Sequence, residues 1–111
     1  MKVTITPSAT NSKIIITVNS GIQNGTGGGG TKLKLYRKIG SGTASVLHFM
    51  GGSGLVSYDA GNNHITNGVI TFLDSPNTTS AVEYELYYAK YYTGTSYFFA
   101  GAQIHAIEIA G

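Results

Sequence analysis

The 111-residue chain has no cysteine, no tryptophan and only two prolines, and charged side chains make up 11% of it. Without cysteine there is no disulfide framework, no thiolate nucleophile and no cysteine-ligated zinc site. Long apolar runs are also missing. No run exceeds about four residues, and that in Lys13-Ile14-Ile15-Ile16-Thr17 is typical; this falls far short of the ~20 residues that span a bilayer, so no membrane insertion is expected. Nor does the start read as a leader, because Met1-Lys2 passes at once into the alternating Val3-Thr4-Ile5-Thr6. Seven Lys and Arg against five Asp and Glu leave a net charge of +2, with the basic residues mainly at Lys32, Lys34, Arg37 and Lys38. Such a small excess argues against nucleic acid as a partner.

What is abundant is small, polar or β-branched: 16 Gly, 13 Thr, 10 Ser and 7 Asn accompany a hydrophobic fraction of 41%. A chain of this length buries roughly 65% of its unfolded surface and can hold a core without staples. Its content of aromatic and β-branched residues sets it apart from disordered chains. No composition shift marks a boundary, so residues 1–111 read as one domain.

Apolar residues recur with a period close to two, and no window carries a capped helical pattern. The spacing predicts strands at Lys2 to Thr6, Lys13 to Asn19, Lys32 to Ile39, Ala44 to Met50, Gly54 to Tyr58, Ile65 to Leu73, Ala81 to Tyr92, Ser96 to Ala100 and Gln103 to Ile109. Turn chemistry separates them at Pro7-Ser8-Ala9-Thr10-Asn11, Asn19-Ser20-Gly21, Gly25-Thr26-Gly27-Gly28-Gly29-Gly30, Gly51-Gly52, Gly61-Asn62-Asn63, Asp74-Ser75-Pro76-Asn77 and Thr93-Gly94. The expected fold is all-β, a jelly-roll-like antiparallel β-sandwich of about eight or nine short strands.

The strand from Ala81 to Tyr92 sorts into two faces. Val82, Tyr84, Leu86 and Tyr88 read as core, whereas Glu83, Glu85, Tyr87, Ala89 and Tyr91 start charged and turn aromatic. With Tyr97, Phe98 and Phe99 beyond, the aromatic surface exceeds what a core of this size hides, which points to an oligomer interface or a binding face. The residues assigned to an oligomer interface are Tyr87, Tyr91, Tyr92, Tyr97 and Phe99.

No catalytic residue, cofactor or metal is assigned. The glycine run does not fit the G-x-x-x-x-G-K-[ST] phosphate loop, and a strand pattern rather than a helix follows it. His48, His64 and His105 have no ligand spacing among them and read as surface or hydrogen-bonded side chains. Of the acidic residues, Asp59 and Asp74 stand in turn settings where Asp bonds its own backbone. Glu83 and Glu85 share a strand face about 7 Å apart, a spacing that could serve acid–base work but more simply serves solubility. Asp59, Asn62 and Asn63 are at most a partial calcium set.

Three segments carry a family resemblance: 3–14 (Val-Thr-Ile-Thr-Pro-Ser-Ala-Thr-Asn-Ser-Lys-Ile), 72–84 (Phe-Leu-Asp-Ser-Pro-Asn-Thr-Thr-Ser-Ala-Val-Glu-Tyr) and 104–110 (Ile-His-Ala-Ile-Glu-Ile-Ala). In order and spacing the chain resembles the C-terminal domains of bacteriophage tail-fibre and related virion-surface proteins of the marine type. The resemblance implies a jelly-roll-like sandwich, commonly a homotrimer, that is assembled in a host cytoplasm and displayed on the virion as a tail-fibre, head-fibre or capsid-decoration subunit. Relatives of this type carry further strand-forming sequence before the first segment, so the chain is expected either to be a stand-alone, minimal version or to take an edge strand from a neighbouring subunit, which would also cover an aggregation-prone edge. The expected partners are a second copy of the chain and other virion proteins. The alternative is a lectin-like module that binds host-surface glycan, with Tyr36, Tyr58, Asp59, Asn62 and Asn63 as contacts, because rings stack on sugar faces while Asn and Asp satisfy hydroxyls.

Overall fold

The computed structural model describes residues 1–24, 30–50, 64–91, 96–98 and 101–111. The described residues form eight strands and no helix: β1 (Lys2–Ile5), β2 (Lys13–Asn24), β3 (Gly30–Ile39), β4 (Ser45–Met50), β5 (His64–Asp74), β6 (Val82–Tyr91), β7 (Ser96–Phe98) and β8 (Gln103–Ile109). All pairings are antiparallel. One sheet runs β1-β6-β3-β4; the other places β2 between β5 on one side and β7 and β8 on the other. Successive strands mostly change sheets, a habit shared with jelly-roll sandwiches. The predicted strand at Gly54 to Tyr58 lies outside the described residues.

The core follows from the alternation. Ile14, Ile16, Val18 and Ile22 of β2 and Ile70 of β5 face Leu33 and Leu35 of β3 and Val82, Tyr84 and Leu86 of β6, and all are buried. Burying each such side chain contributes about 1.5–3 kcal/mol relative to leaving it in water. On β6 the inward parity holds through Leu86, but Tyr88, expected in the core, is 51% exposed. The reason is the length of β1, which pairs with β6 only over 82–85 and ends where the Leu86 amide donates to the Met1 carbonyl at 2.8 Å. Beyond that point this flank of β6 opens toward solvent.

The expected turn at Asn19-Ser20-Gly21 does not form. β2 runs straight through it to Asn24, paired with β5 in unbroken register as far as His64. Locally these residues favour a turn, but they meet equally small partners, Ser20 opposite Gly68 and Gly21 opposite Asn67. The lack of a Cβ at Gly68 leaves room for the Ile22 side chain, since a Cβ there would stand 2.6 Å from Ile22 Cδ1. That close approach lets Ile22 enter the core and carries the strand onward.

The other turns behave as their residues require. Gly40, at φ +53°, closes the β3–β4 connection, where its amide donates to the Ala81 carbonyl at 2.8 Å. Asn77 takes the left-handed conformation at φ 52° after Pro76, a role that Asn fills at lower cost than other side chains. A bulge between Leu35 and Tyr36 shifts the β3–β4 register. At the opposite side of the same end, the Glu108 carboxylate accepts hydrogen bonds from the Ser8 amide and hydroxyl, both at 2.7 Å, tying β8 to the β1–β2 loop. The Ser12 hydroxyl, close by and with no partner in hydrogen-bond geometry of its own, and the two Ser8 groups hold the Glu108 carboxyl below the usual carboxylate range.

Candidate functional site

The two sheets present very different outer faces. On the β1-β6-β3-β4 sheet, register aligns Thr4, Glu83 and Lys38 in one row and Lys2, Glu85 and Tyr36 in the next, with Tyr87 opposite Lys34 above them. Opposite charges on neighbouring strands are the usual dress of a solvated sheet. The Lys2 ammonium sits 3.1 Å from the Glu83 carboxylate, and this bond, helped by the Glu83 and Glu85 charges, raises the lysine above its ordinary value. Being exposed, the pair adds little to stability.

Within this charged face lies an aromatic pair. The rings of Tyr36 and Tyr87 meet edge to face, 5.2 Å apart at 73°, with Tyr87 half exposed. The Tyr87 phenol is raised above its ordinary range by its hydrogen bond to Glu85 and by that carboxylate's charge. Sequence reasoning assigned Tyr87 to an interface and Tyr36 to a glycan site; the fold brings them together in one place. Glu83 and Glu85, the only candidate acid–base pair, are engaged with Lys2 and Tyr87 on an open face that does not exclude water.

The remaining sequence-assigned residues are spread out. Tyr91 is on β6 opposite Gly30, and Tyr97 is on β7 opposite Gln23, so the two belong to different sheets. Tyr58, Asp59, Asn62, Asn63, Tyr92 and Phe99 lie outside the described residues. Of the histidines, His48 stacks on Phe72 with centroids 5.0 Å apart, joining β4 to β5 between the sheets. His105 is exposed on the other sheet, its Nε2 3.4 Å from Gln103 Oε1. Among the described residues no three His, Asp or Glu gather as a metal site would require.

No family model, no curated protein and no solved structure matches the chain. Two features of the geometry had not been assigned from the sequence, one inside the sandwich and one on its surface. The first is a buried polar clasp. Arg37 and Tyr84 are cross-strand partners on β3 and β6, and both reach across the sandwich to Asp74 at the end of β5, Arg37 Nη1 at 2.8 Å and the Tyr84 hydroxyl at 2.7 Å. Asp74 thus joins the two sheets, which corrects its reading as a turn residue bonded to its own backbone. Burial first, then the bond to Asp74 and its charge, push the Tyr84 phenol far above its ordinary value. The parity of β3 carries a signal for this: Leu33, Leu35, Arg37 and Ile39 share one side, so alternation puts a charge on the core face.

The second is the outer face of the β5-β2-β8 sheet, where Leu73, Ile15 and Ile107 form one row across three strands. Here the signal is the unbroken run Ile14-Ile15-Ile16. A strand that is apolar on both faces reads as covered on both.

Proposed function

We propose that this chain is a structural subunit of a virion surface, of the tail-fibre, head-fibre or capsid-decoration kind, and that it works by self-association into a homotrimer rather than by catalysis. The observation that carries the self-association is the balance of large apolar side chains. Among the described residues ten hydrophobic side chains are buried, yet Met1, Val46, Val69, Leu73, Tyr87, Tyr88, Ile107 and Ile109 stay exposed, nearly as many as that core holds. Of these, Leu73, Ile107 and Ile109 cluster with Ile15 on one sheet face, and an exposed apolar cluster of that kind marks an interaction site. The virion setting is supported by the three segments of the resemblance, which meet at one end of the sandwich, where Ile14 pairs with both Asp74 and Glu108 and Glu108 bonds Ser8.

The test is molar mass by size-exclusion chromatography with light scattering over a dilution series. A mass near three times 11.6 kDa, constant on tenfold dilution, is the expected result; a monomer at every concentration would sink the proposal.

The Tyr36–Tyr87 pair, with Tyr87 half exposed beside Glu85, favours a second reading, glycan binding at a fibre tip. Ring faces stack on sugars and the carboxylate accepts from hydroxyls. Under this reading Tyr87→Ala abolishes retention on immobilised neutral glycans while leaving the molar mass unchanged, and equal retention of the variant would count against it.

A further inference from the structure

We infer that the outer face of the β5-β2-β8 sheet is the surface on which a second copy of this chain packs. This rests on the self-association reading and adds to it the face used, which differs from the aromatic strand that sequence reasoning pointed to. The row Leu73–Ile15–Ile107 lies in register across the three strands, with Ile109 beside Lys13 extending it and Val69 beside Asn19 farther along the same face. Leu73, Ile107, Ile109 and Val69 are 52, 58, 43 and 59% exposed. Leu73, Ile15, Ile107 and Ile109 make one aliphatic patch on the order of a few hundred Å², the scale at which such a patch marks an interaction site, and the row Thr71–Thr17–His105 separates it from Val69.

Charge selects the occupant. Lys2, Lys34, Lys38, Glu83 and Glu85 all belong to the outer face of the opposite sheet, Asp74 is buried against Arg37, and Glu108 is bonded to Ser8. Among the described residues of the β5-β2-β8 face, Lys13 alone is charged, at the rim, and His105 is the other titratable group. A nucleic acid or a charged peptide would find almost no counter-charge here. A second neutral β face meets it without burying an unpaired charge, and a copy of this chain carries one.

Area selects the arrangement. The seven residues of β8, at a rise of ~3.4 Å and across three strands ~4.8 Å apart, set a flat face of roughly 350 Å². That is less than half of the ~800 Å² each partner gives to a standard two-body interface. A single twofold contact through this face would be weak. A closed ring uses both flanks of the sheet: Val69 and Leu73 on β5 meet one neighbour, Ile107 and Ile109 on β8 meet the other, and Ile15 points to the axis. This is a heterologous contact that closes, and it adds the edges of β5 and β8 to the buried surface.

The experiment compares the molar mass of the wild type, Leu73→Lys, Ile107→Lys and Tyr87→Ala over the same dilution series, with circular dichroism as the check on folding. The expected result is that both lysine variants fall to 11.6 kDa with a wild-type spectrum while Tyr87→Ala keeps the assembled mass. Should a lysine variant lose its fold, Leu73→Thr and Ile107→Thr, which suit a strand, are expected to raise the dissociation constant at least tenfold. Face variants that stay assembled would overturn this inference and leave self-association standing. A wild type that is monomeric throughout would overturn both.

Discussion

Asp74→Ala is expected to cost about 3–4 kcal/mol of unfolding free energy, a large share of the roughly 5–15 kcal/mol that holds a domain of this size together. The carboxylate is 5% exposed and serves two partners on the opposite sheet, Arg37 and Tyr84. Removing one member of a buried ion pair costs about 3–5 kcal/mol because the other charge is left uncompensated. Arg37, with a quarter of its side chain exposed, recovers some hydration, which trims that figure. The Tyr84 hydroxyl has no such escape, since the residue is fully buried, and an orphaned buried donor costs about 1–3 kcal/mol. Tyr84→Phe removes only the second bond and is expected to cost about 1–2 kcal/mol. The double variant should lose less than the sum of the singles, because the hydroxyl and the carboxylate share one bond. Urea unfolding at fixed protein concentration measures all three, and a loss below about 1 kcal/mol for Asp74→Ala would mean that the clasp does not join the sheets.

The same clasp sets an alkaline limit. The folded Tyr84 phenol lies above its ordinary value of 10.0 through burial and its bond to Asp74. A group raised in this way contributes its full stability below the unfolded value and loses it as pH climbs past 10 toward the folded one. The fall is at most about 1.4 kcal/mol per pH unit. Tyr84→Phe should flatten that limb of the stability curve.

The all-β class, the sandwich and most strands were legible from period-two alternation. β8 begins and ends where its pattern does, β1 stops one residue short of its pattern, and β6 begins one residue late. Local chemistry misled where a partner overruled it. Asn19-Ser20-Gly21 has turn composition, but Gly68 and Asn67 lie opposite and Ile22 fills the space that glycine leaves. Asp74 precedes a true turn, yet its carboxylate goes to the far sheet, because an inward-facing arginine needs a counter-charge and no single-strand pattern says where that comes from. The aromatic residues drew notice by their number. The aliphatic face drew less, since Leu73, Ile15 and Ile107 lie far apart in the chain and only strand order aligns them.

Two neighbouring residues separate the interior of the subunit from its assembly. Ile16 is fully buried, with Phe72 of β5 and Ala106 of β8 as its cross-strand partners. Ile16→Ala is expected to cost about 3–4 kcal/mol, in the middle of the range for truncating a packed isoleucine. That cost belongs to the fold of one chain, so it should be the same in dilute and concentrated protein. Ile15 is one residue away but points outward, half-buried between Leu73 and Ile107. For an isolated subunit Ile15→Ala removes about 1 kcal/mol of partial burial. In an assembly that packs through this face the loss is larger, and it grows with protomer concentration, because association stabilises the folded state by mass action and the variant forfeits part of that term. Unfolding of both variants and the wild type at two concentrations a hundredfold apart makes the comparison. The gap between Ile15→Ala and the wild type should widen at the higher concentration, while the gap for Ile16→Ala stays fixed. If both gaps stay fixed, the β5-β2-β8 face is solvated in the working molecule and its aliphatic row has no part in assembly.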